Sequence, residues 1–182
     1  QKERGIRFNS NGSEKLLCYY DSSNKGDHTD EKAQYGWVVM FMGGPLSWES
    51  KKHKHVGKSS SHNEYMSMSQ AAVEVKWIRE LLEEMGFPQY VREPTPLLGD
   101  NDQATRWGLE HMVTGGTKPI RVEYHFVKEC VELGDVDPRR VPTEDNISDI
   151  FTKALSEPLI ERFRGVLTGY EQVPEPPPPM PS

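Results

Sequence analysis

Four acidic residues stand where elements of the chain begin or end. Asp21 closes a strand-like run, Glu64 heads the longest periodic segment, Asp100 closes a short apolar run, and Asp149 lies early in the last helical stretch. Carboxylates brought together repel one another unless a cation sits between them, and hard oxygen donors suit Mg2+ or Mn2+. Two such ions roughly 4 Å apart, one activating water and one steadying the leaving oxygen, serve phosphodiester cleavage. Each acid alone is weak evidence, because an Asp at a strand end is commonly a turn residue. Their joint placement points to metal chemistry without naming a substrate.

A second charged feature is the run Lys51-Lys52-His53-Lys54-His55, with Lys58 close behind. It reads either as a set of phosphate contacts or as a solvated loop. The chain as a whole carries a net charge of −6, which argues against a general nucleic-acid binder. Part of that negative charge is a metal site if ions neutralise it.

The elements that must position these residues follow from periodicity. Leu16 to Tyr20 is a continuous apolar run, too short for a helix, and predicts a buried central strand ending on Asp21. Tyr35 to Met42 predicts a second strand, closed by Gly43-Gly44-Pro45, and Leu46 to Ser50 alternates as a half-exposed third strand. Short connections make these an antiparallel meander. From about Ser61 to Met85 the apolar residues Met68, Ala71, Val75, Ile78, Leu82 and Met85 recur at helical spacing, and Gly86 ends the segment. One turn back along the same stripe lies Glu64. That position suits either a buried functional carboxylate or an acid favoured by the helix dipole in the first turn.

Pro96 to Gly99 predicts a strand ending on Asp100-Asn101, with a helix from Asp102 to about Met112. Another helix runs from Pro119 to Gly134 with Ile120, Tyr124, Val127 and Val131 inward. Val136 to Val141 is a last strand, and a helix capped by Thr143 or Asp145 carries Asp149, Ile150, Phe151 and Leu155. This order is an α/β layer architecture in which parallel pairing enters after the long helix. Asp21 and Asp100 meet at the carboxyl ends of their strands if those strands are neighbours. The Pro-rich end reads as an extended, disordered tail.

Cys18 and Cys130 match no spaced metal or redox motif, and a reducing setting suits both. No apolar run is long enough to span a membrane, and no basic-then-apolar leader opens the chain. Asn11-Gly12-Ser13 and Asn146-Ile147-Ser148 fit the glycosylation pattern and read as chance matches.

Several phrases in one order give the chain a resemblance. They are Tyr20-Asp21, Gly26-Asp27, Gly36-Trp37, Ser47-Trp48 with Ser50-Lys51-Lys52, Ser59-Ser60, Glu64-Tyr65-Met66, Asp100-Asn101 and Tyr124-His125-Phe126. The most specific is the unbroken stretch from Val141 through Pro142-Thr143-Glu144-Asp145-Asn146-Ile147-Ser148-Asp149-Ile150-Phe151-Thr152 to Lys153. Together they resemble the ribonuclease H domain of copia-type (pseudoviral) retrotransposon polyproteins, over roughly Gly5 to Leu167.

The resemblance implies a ribonuclease H-like fold, a mixed five-stranded sheet flanked by helices. It implies metal-dependent cleavage of the RNA strand of RNA/DNA hybrids, leaving a 5′-phosphate and a 3′-hydroxyl, with two Mg2+ or Mn2+ ions. The catalytic and metal-holding acids would be Asp21, Glu64, Asp100 and Asp149. Asp21 would bridge both ions, Asp149 would help hold the ion that activates water, and Glu64 and Asp100 would hold the other. Glu64 would also lie near the RNA 2′-hydroxyl. Asn101, Lys51, Lys52, Lys54 and Lys58 are candidate substrate contacts, and His125 is expected to pack beside Tyr124 and Phe126 rather than to act. The expected partners are the hybrid duplex and an upstream reverse transcriptase domain of the same polyprotein. The expected location is intracellular and cytoplasmic, in a virus-like particle if the element is active.

On this reading residues 1–13 are a linker remnant, 14–168 the domain, and 169–182 the tail. The order Asp, Glu, Asp, Asp, with the Glu on the first helix, separates the chain from integrases and proofreading exonucleases of the same broad fold. Four positions depart from the family pattern: Ser23 replaces an acid, Asn24 an aromatic, His62 an acid and Gly99 a cysteine. These departures leave a second expectation open, a catalytically degenerate module that only grips the hybrid.

Overall fold

Apolar residues at consecutive positions 16–20 demand cover on both sides of their strand, and the fold supplies it. In the computed structural model, which describes residues 5–9, 14–23, 32–53, 59–109 and 121–179, strand β1 (Leu17–Ser23) is the centre of a five-stranded sheet. Its neighbours are β2 (Gln34–Phe41) on one side and β4 (Thr95–Gly99) on the other. The edges are β3 (Gly44–Lys52) and β5 (Val136–Arg140). The pairs β1/β2 and β2/β3 are antiparallel, and β1/β4 and β4/β5 are parallel. Parallel pairing therefore does begin after the long helix, as crossover connections require.

Alternation along β1 divides the core in two. Cys18 and Tyr20 face a cluster built from α1 (Ser60–Glu84), α2 (Asp102–Leu109) and α3 (Arg121–Glu132). Leu17 and Tyr19 face a second cluster holding Ile147, Phe163 and Val166, the latter two from α4 (Glu157–Leu167). The molecule is thus helices on both faces of a mixed sheet.

Helix α1 starts where Ser59 accepts a hydrogen bond from the His62 N–H at 3.2 Å, a side-chain N-cap. It ends before Gly86, whose φ of 85° suits a residue without a side chain. The stripe Met68, Ala71, Val75 and Ile78 is buried as its spacing predicts, and Leu82 packs at its margin. Met85 does not belong to it: at 60% exposure it lies on the surface, because the sheet gives no cover that far along the helix. Tyr65 joins the three helices, with Trp107 edge-on to its ring and Tyr124 stacked on it.

Residues 5–9 lie outside any strand, where Arg7 N–H donates to the Thr168 carbonyl and Asn9 N–H to that of Met42. One further expectation is revised. The single helix expected around Asp149 is two 3-10 turns, Thr143–Asp145 and Ile147–Phe151, followed by the separate helix α4. Between the turns Asn146 stands outside helical geometry, at φ −79° and ψ 91°. Its amide donates to the Tyr20 carbonyl at 3.0 Å, and its Oδ1 accepts from the Ser148 hydroxyl at 2.6 Å. A buried Asn with two such partners competes successfully with helical continuation. Residues 171–179 carry no helix or strand; within this stretch the Pro174 carbonyl accepts from the Tyr19 hydroxyl, and that of Pro177 from Arg139.

Candidate active site

The parallel register sets Cys18 against Leu97 and Tyr19 against Leu98. Continuing both strands by two residues brings Asp21 beside Asp100, at the carboxyl end of the sheet. The second 3-10 turn then lays Asp149 against the same place. Carboxylate oxygens of Asp21, Asp100 and Asp149 lie within 4.8 Å of one another, with Asp21 and Asp149 buried and Asp100 half-buried. Three carboxylates so arranged could hold a metal ion.

Glu64 approaches from α1. It is only 5% exposed and lies beyond the first turn of the helix, so the buried functional position applies and not the dipole. A backbone hydrogen bond from Ser22 favours its charged form, but burial, and after it the charges of Asp21 and Asp100, push its carboxyl well above the usual range. Burial likewise raises Asp21, and burial together with Asp21 pushes Asp149 up to about 7. Two buried oxygens, Oε2 of Glu64 and Oδ1 of Asp149, have no hydrogen-bond partner among the described residues. Buried acceptors without donors are costly, and bound divalent cations would relieve that cost. The donor set, all carboxylate oxygen, fits Mg2+ or Mn2+.

The turn carrying Asp149 is pinned to the sheet at three places. Asn146 holds the Tyr20 carbonyl, as described. The Phe151 carbonyl accepts from Gln34 Nε2 at 3.0 Å and from Ser50 Oγ at 2.7 Å. The Thr152 hydroxyl donates to Asp21 Oδ2. Gly36 makes the approach possible: it pairs with Asp21 across β1 and β2, and a Cβ there would stand 2.5 Å from the Cβ of Phe151.

One cation belongs to the cluster itself. Lys153 Nζ lies 2.9 Å from Asp149 Oδ2 and 3.8 Å from Asp21 Oδ1. Burial works against its charge, but the two carboxylates prevail and its pKa is raised. Sequence reasoning quoted Lys153 within a motif and gave it no role; its spacing of four from Asp149, one helical turn, was the available signal.

The other predicted contacts are less committed. Lys51 and Lys52 are exposed at the end of β3, where Lys52 pairs with Gln34 and Gln34 with Ser23. They therefore flank the same end of the sheet as Asp21, two strands away, and Lys51 is paired with Glu49. Lys54 and Lys58 lie outside the described residues, as does Asn24. Asn101, next to Asp100, caps α2: its Oδ1 accepts from the Ala104 N–H at 2.9 Å. His125 is exposed with its ring edge-on to Tyr124, on α3 and apart from the carboxylates. His53, read as part of the basic run, is instead buried. Its ring lies 4.7 Å from that of Tyr35, with the Ser22 and Ser67 hydroxyls at 3.4 and 3.5 Å. Burial lowers its pKa to about 4.

No family model matches the chain, but related sequences and structures do. It is 32% identical over 170 residues, 93% of its length, to the retrovirus-related Pol polyprotein from transposon RE1 of Arabidopsis thaliana. It is 31% identical over 147 residues to that from transposon TNT 1-94 of Nicotiana tabacum. The chain spans 11% of the length of each of these relatives. Among solved structures, LC11-RNase H1 from compost is similar with a TM-score of 0.58 at 15% identity, over 77% of this chain and 94% of that one. RNase H1 of Halobacterium salinarum NRC-1 gives 0.53 at 19%, over 76% and 94%. The fold read from the motifs is thereby borne out. In sequence the chain is related to a segment of the retrovirus-related Pol polyproteins of transposons, and its fold is the one seen in the ribonuclease H structures.

Proposed function

We propose that the chain hydrolyses the RNA strand of RNA/DNA hybrids during reverse transcription, leaving 5′-phosphate and 3′-hydroxyl ends. The observation that carries this reading is the convergence of Asp21, Asp100 and Asp149 within 4.8 Å, with the buried, unpartnered carboxylate of Glu64 on α1 near enough to feel the charges of Asp21 and Asp100. These four acids would hold two divalent cations, Mg2+ or Mn2+, which supply an activated water and steady the leaving oxygen when bound. The chain's own contribution is to hold the carboxylates together before any ion arrives, through the three anchors of the Asp149 turn. Lys51 and Lys52 bring positive charge to the same end of the sheet, positioning a duplex by its phosphates without reading sequence. A solved complex of LC11-RNase H1 with an RNA/DNA hybrid, similar in fold with a TM-score of 0.55, supports the substrate class. The Pol character of the relatives supports a reverse transcriptase domain of the same polyprotein as partner, in the cytoplasm or a virus-like particle. Among the described residues no helix is long and apolar enough to cross a membrane.

A second reading, a module that grips hybrid without cutting it, draws on Ser23. A buried hydroxyl residue stands there, where the resembled family carries another acid, two residues past Asp21. One experiment separates the two: incubation of a labelled hybrid with Mg2+ or Mn2+, with Asp100→Asn as control. Metal-dependent loss of the RNA strand alone, absent in the variant, is the expected result. Salt-sensitive binding without cleavage, equal in both proteins, would favour the gripping module.

A further inference from the structure

Three buried or half-buried carboxylates and a fourth from α1 should destabilise a metal-free chain, since like charges in a poorly solvated site repel strongly. The structure carries an internal answer. Lys153 Nζ sits against both Asp149 Oδ2 and Asp21 Oδ1, at 2.9 and 3.8 Å, and its side chain is 28% exposed against 2% for each of its two partners. It therefore reaches inward from the rim of the site. Its backbone is fixed independently of that contact, by the N–H bonds of Thr152 and Lys153 to the Asp149 carbonyl and by the Phe151 and Thr152 anchors. The side chain can move without unfolding the turn, because the lysine stem is long and unbranched.

We infer that Lys153 is a built-in stand-in cation: in the metal-free chain its ammonium holds the place between Asp21 and Asp149 that a divalent ion takes, and the ion must displace it to bind there. The inference rests on the proposed function only in taking this carboxylate cluster as the ion site. It adds a positioning role that the four acids alone do not have. Lys153 keeps the carboxylates gathered without metal, and it lowers apparent ion affinity because its own ion pair must first be broken. Once displaced, its charge is released at the partly exposed rim of the site.

The test uses the whole chain and two readouts that need no turnover: Mn2+ titration by calorimetry and the melting temperature of the EDTA-treated protein at pH 8. Lys153→Met should melt lower than wild type without metal and regain the difference with Mn2+. It should also bind Mn2+ roughly ten-fold more tightly, as removal of a competing unit charge within 4 Å implies. Lys153→Arg, which keeps the charge, should leave both values near wild type. A Lys153→Met protein that folds only with Mn2+, or that binds Mn2+ when wild type does not, would also support displacement. If wild type binds Mn2+ and Lys153→Met binds it no more tightly, the inference is overturned while the proposed ion site stands. If no protein binds Mn2+, the proposed function fails. An unchanged metal-free melting temperature in Lys153→Met would then overturn the stand-in role as well.

Discussion

The ring of Tyr20 fills the space that a side chain on Gly99 would need. A Cβ on Gly99 would stand 2.3 Å from Tyr20 Cζ and 2.6 Å from its Cε2, far inside van der Waals contact, and Tyr20 is fully buried. The two residues immediately precede Asp21 and Asp100, so their fit sets the spacing of the strands just before the site. Gly99 stands where the resembled family carries cysteine. The departure is therefore accommodated by a neighbour and is not simply a loss. Gly99→Cys alone should destabilise the chain by about 1–3 kcal/mol through overpacking. Tyr20→Ser alone should also destabilise it, by leaving a cavity. The double variant Tyr20→Ser/Gly99→Cys should cost clearly less than the sum. Urea denaturation of all four proteins measures the coupling, and strict additivity would refute the interlock.

Gly36 makes a second prediction. With Phe151 Cβ 2.5 Å from where its own Cβ would be, Gly36→Ala should lift the Asp149 turn from the sheet. Metal affinity should fall at least ten-fold while the fold persists, at a cost of about 1–3 kcal/mol. Calorimetric Mn2+ titration beside a thermal melt checks both; unchanged affinity would show that the turn adjusts without moving its carboxylate.

The same turn depends on Asn146. Asn146→Ala leaves the buried Tyr20 carbonyl without its donor and should cost about 1–3 kcal/mol. Asn146→Asp keeps the shape but removes the donating amide, and should be no better. A denaturation midpoint like that of wild type in either variant would contradict this account.

Stability varies with pH through groups of opposite sign, with the raised carboxyls of Asp149, Asp21 and Glu64 on one side and His53 on the other. Asp149 titrates near 7 in the folded chain against 3.8 ordinarily, so the folded state binds the extra proton. That contribution is complete below pH 3.8 and is lost as pH rises through about 7. Ions compete for the same carboxylate, so the rise in melting temperature on adding Mg2+ should grow between pH 5 and 8. A Mg2+ effect independent of pH would count against it.

His53 runs the other way. Its pKa falls from 6.5 to about 4 on burial, so the unfolded chain binds the extra proton, and stability is lost as pH drops from about 6.5 to 4. His53→Gln should remove that acid-side loss, and Asp149→Asn should weaken the opposing trend to which Asp21 and Glu64 also contribute. Melting curves of the two variants across pH 4 to 8 separate contributions that partly cancel in wild type.

Much of this site was legible in the chain because periodicity carried it. Glu64 lies on the stripe that Met68, Ala71 and Val75 define, which marked it out while leaving open whether a buried site or the helix dipole accounts for it. Asp21 and Asp100 end apolar runs, and they meet if those runs are neighbouring strands, which the parallel register of β1 and β4 makes them. The surroundings of Asp149 were less legible. Its short 3-10 turn repeats too few residues to show a period, and the side chain that interrupts the helix, Asn146, acts through a carbonyl 126 positions earlier. His53 was misread for a related reason: a histidine among lysines looks solvated until Tyr35 is known to cover it. Lys153 escaped because a cation beside an acid at helical spacing is ordinary on any surface, and only the fold turns that pair inward.

The anchoring of the Asp149 turn also orders events in time. Thr152 meets Asp21 across 131 positions of sequence, so the carboxylate cluster is completed by one of the last parts of the domain to leave a ribosome. When β1 to α1 have been made, Asp21 and Glu64 are present but Asp100, Asp149 and the anchoring turn are not. Any hybrid-cleaving activity would thus appear only once synthesis of the domain is nearly done.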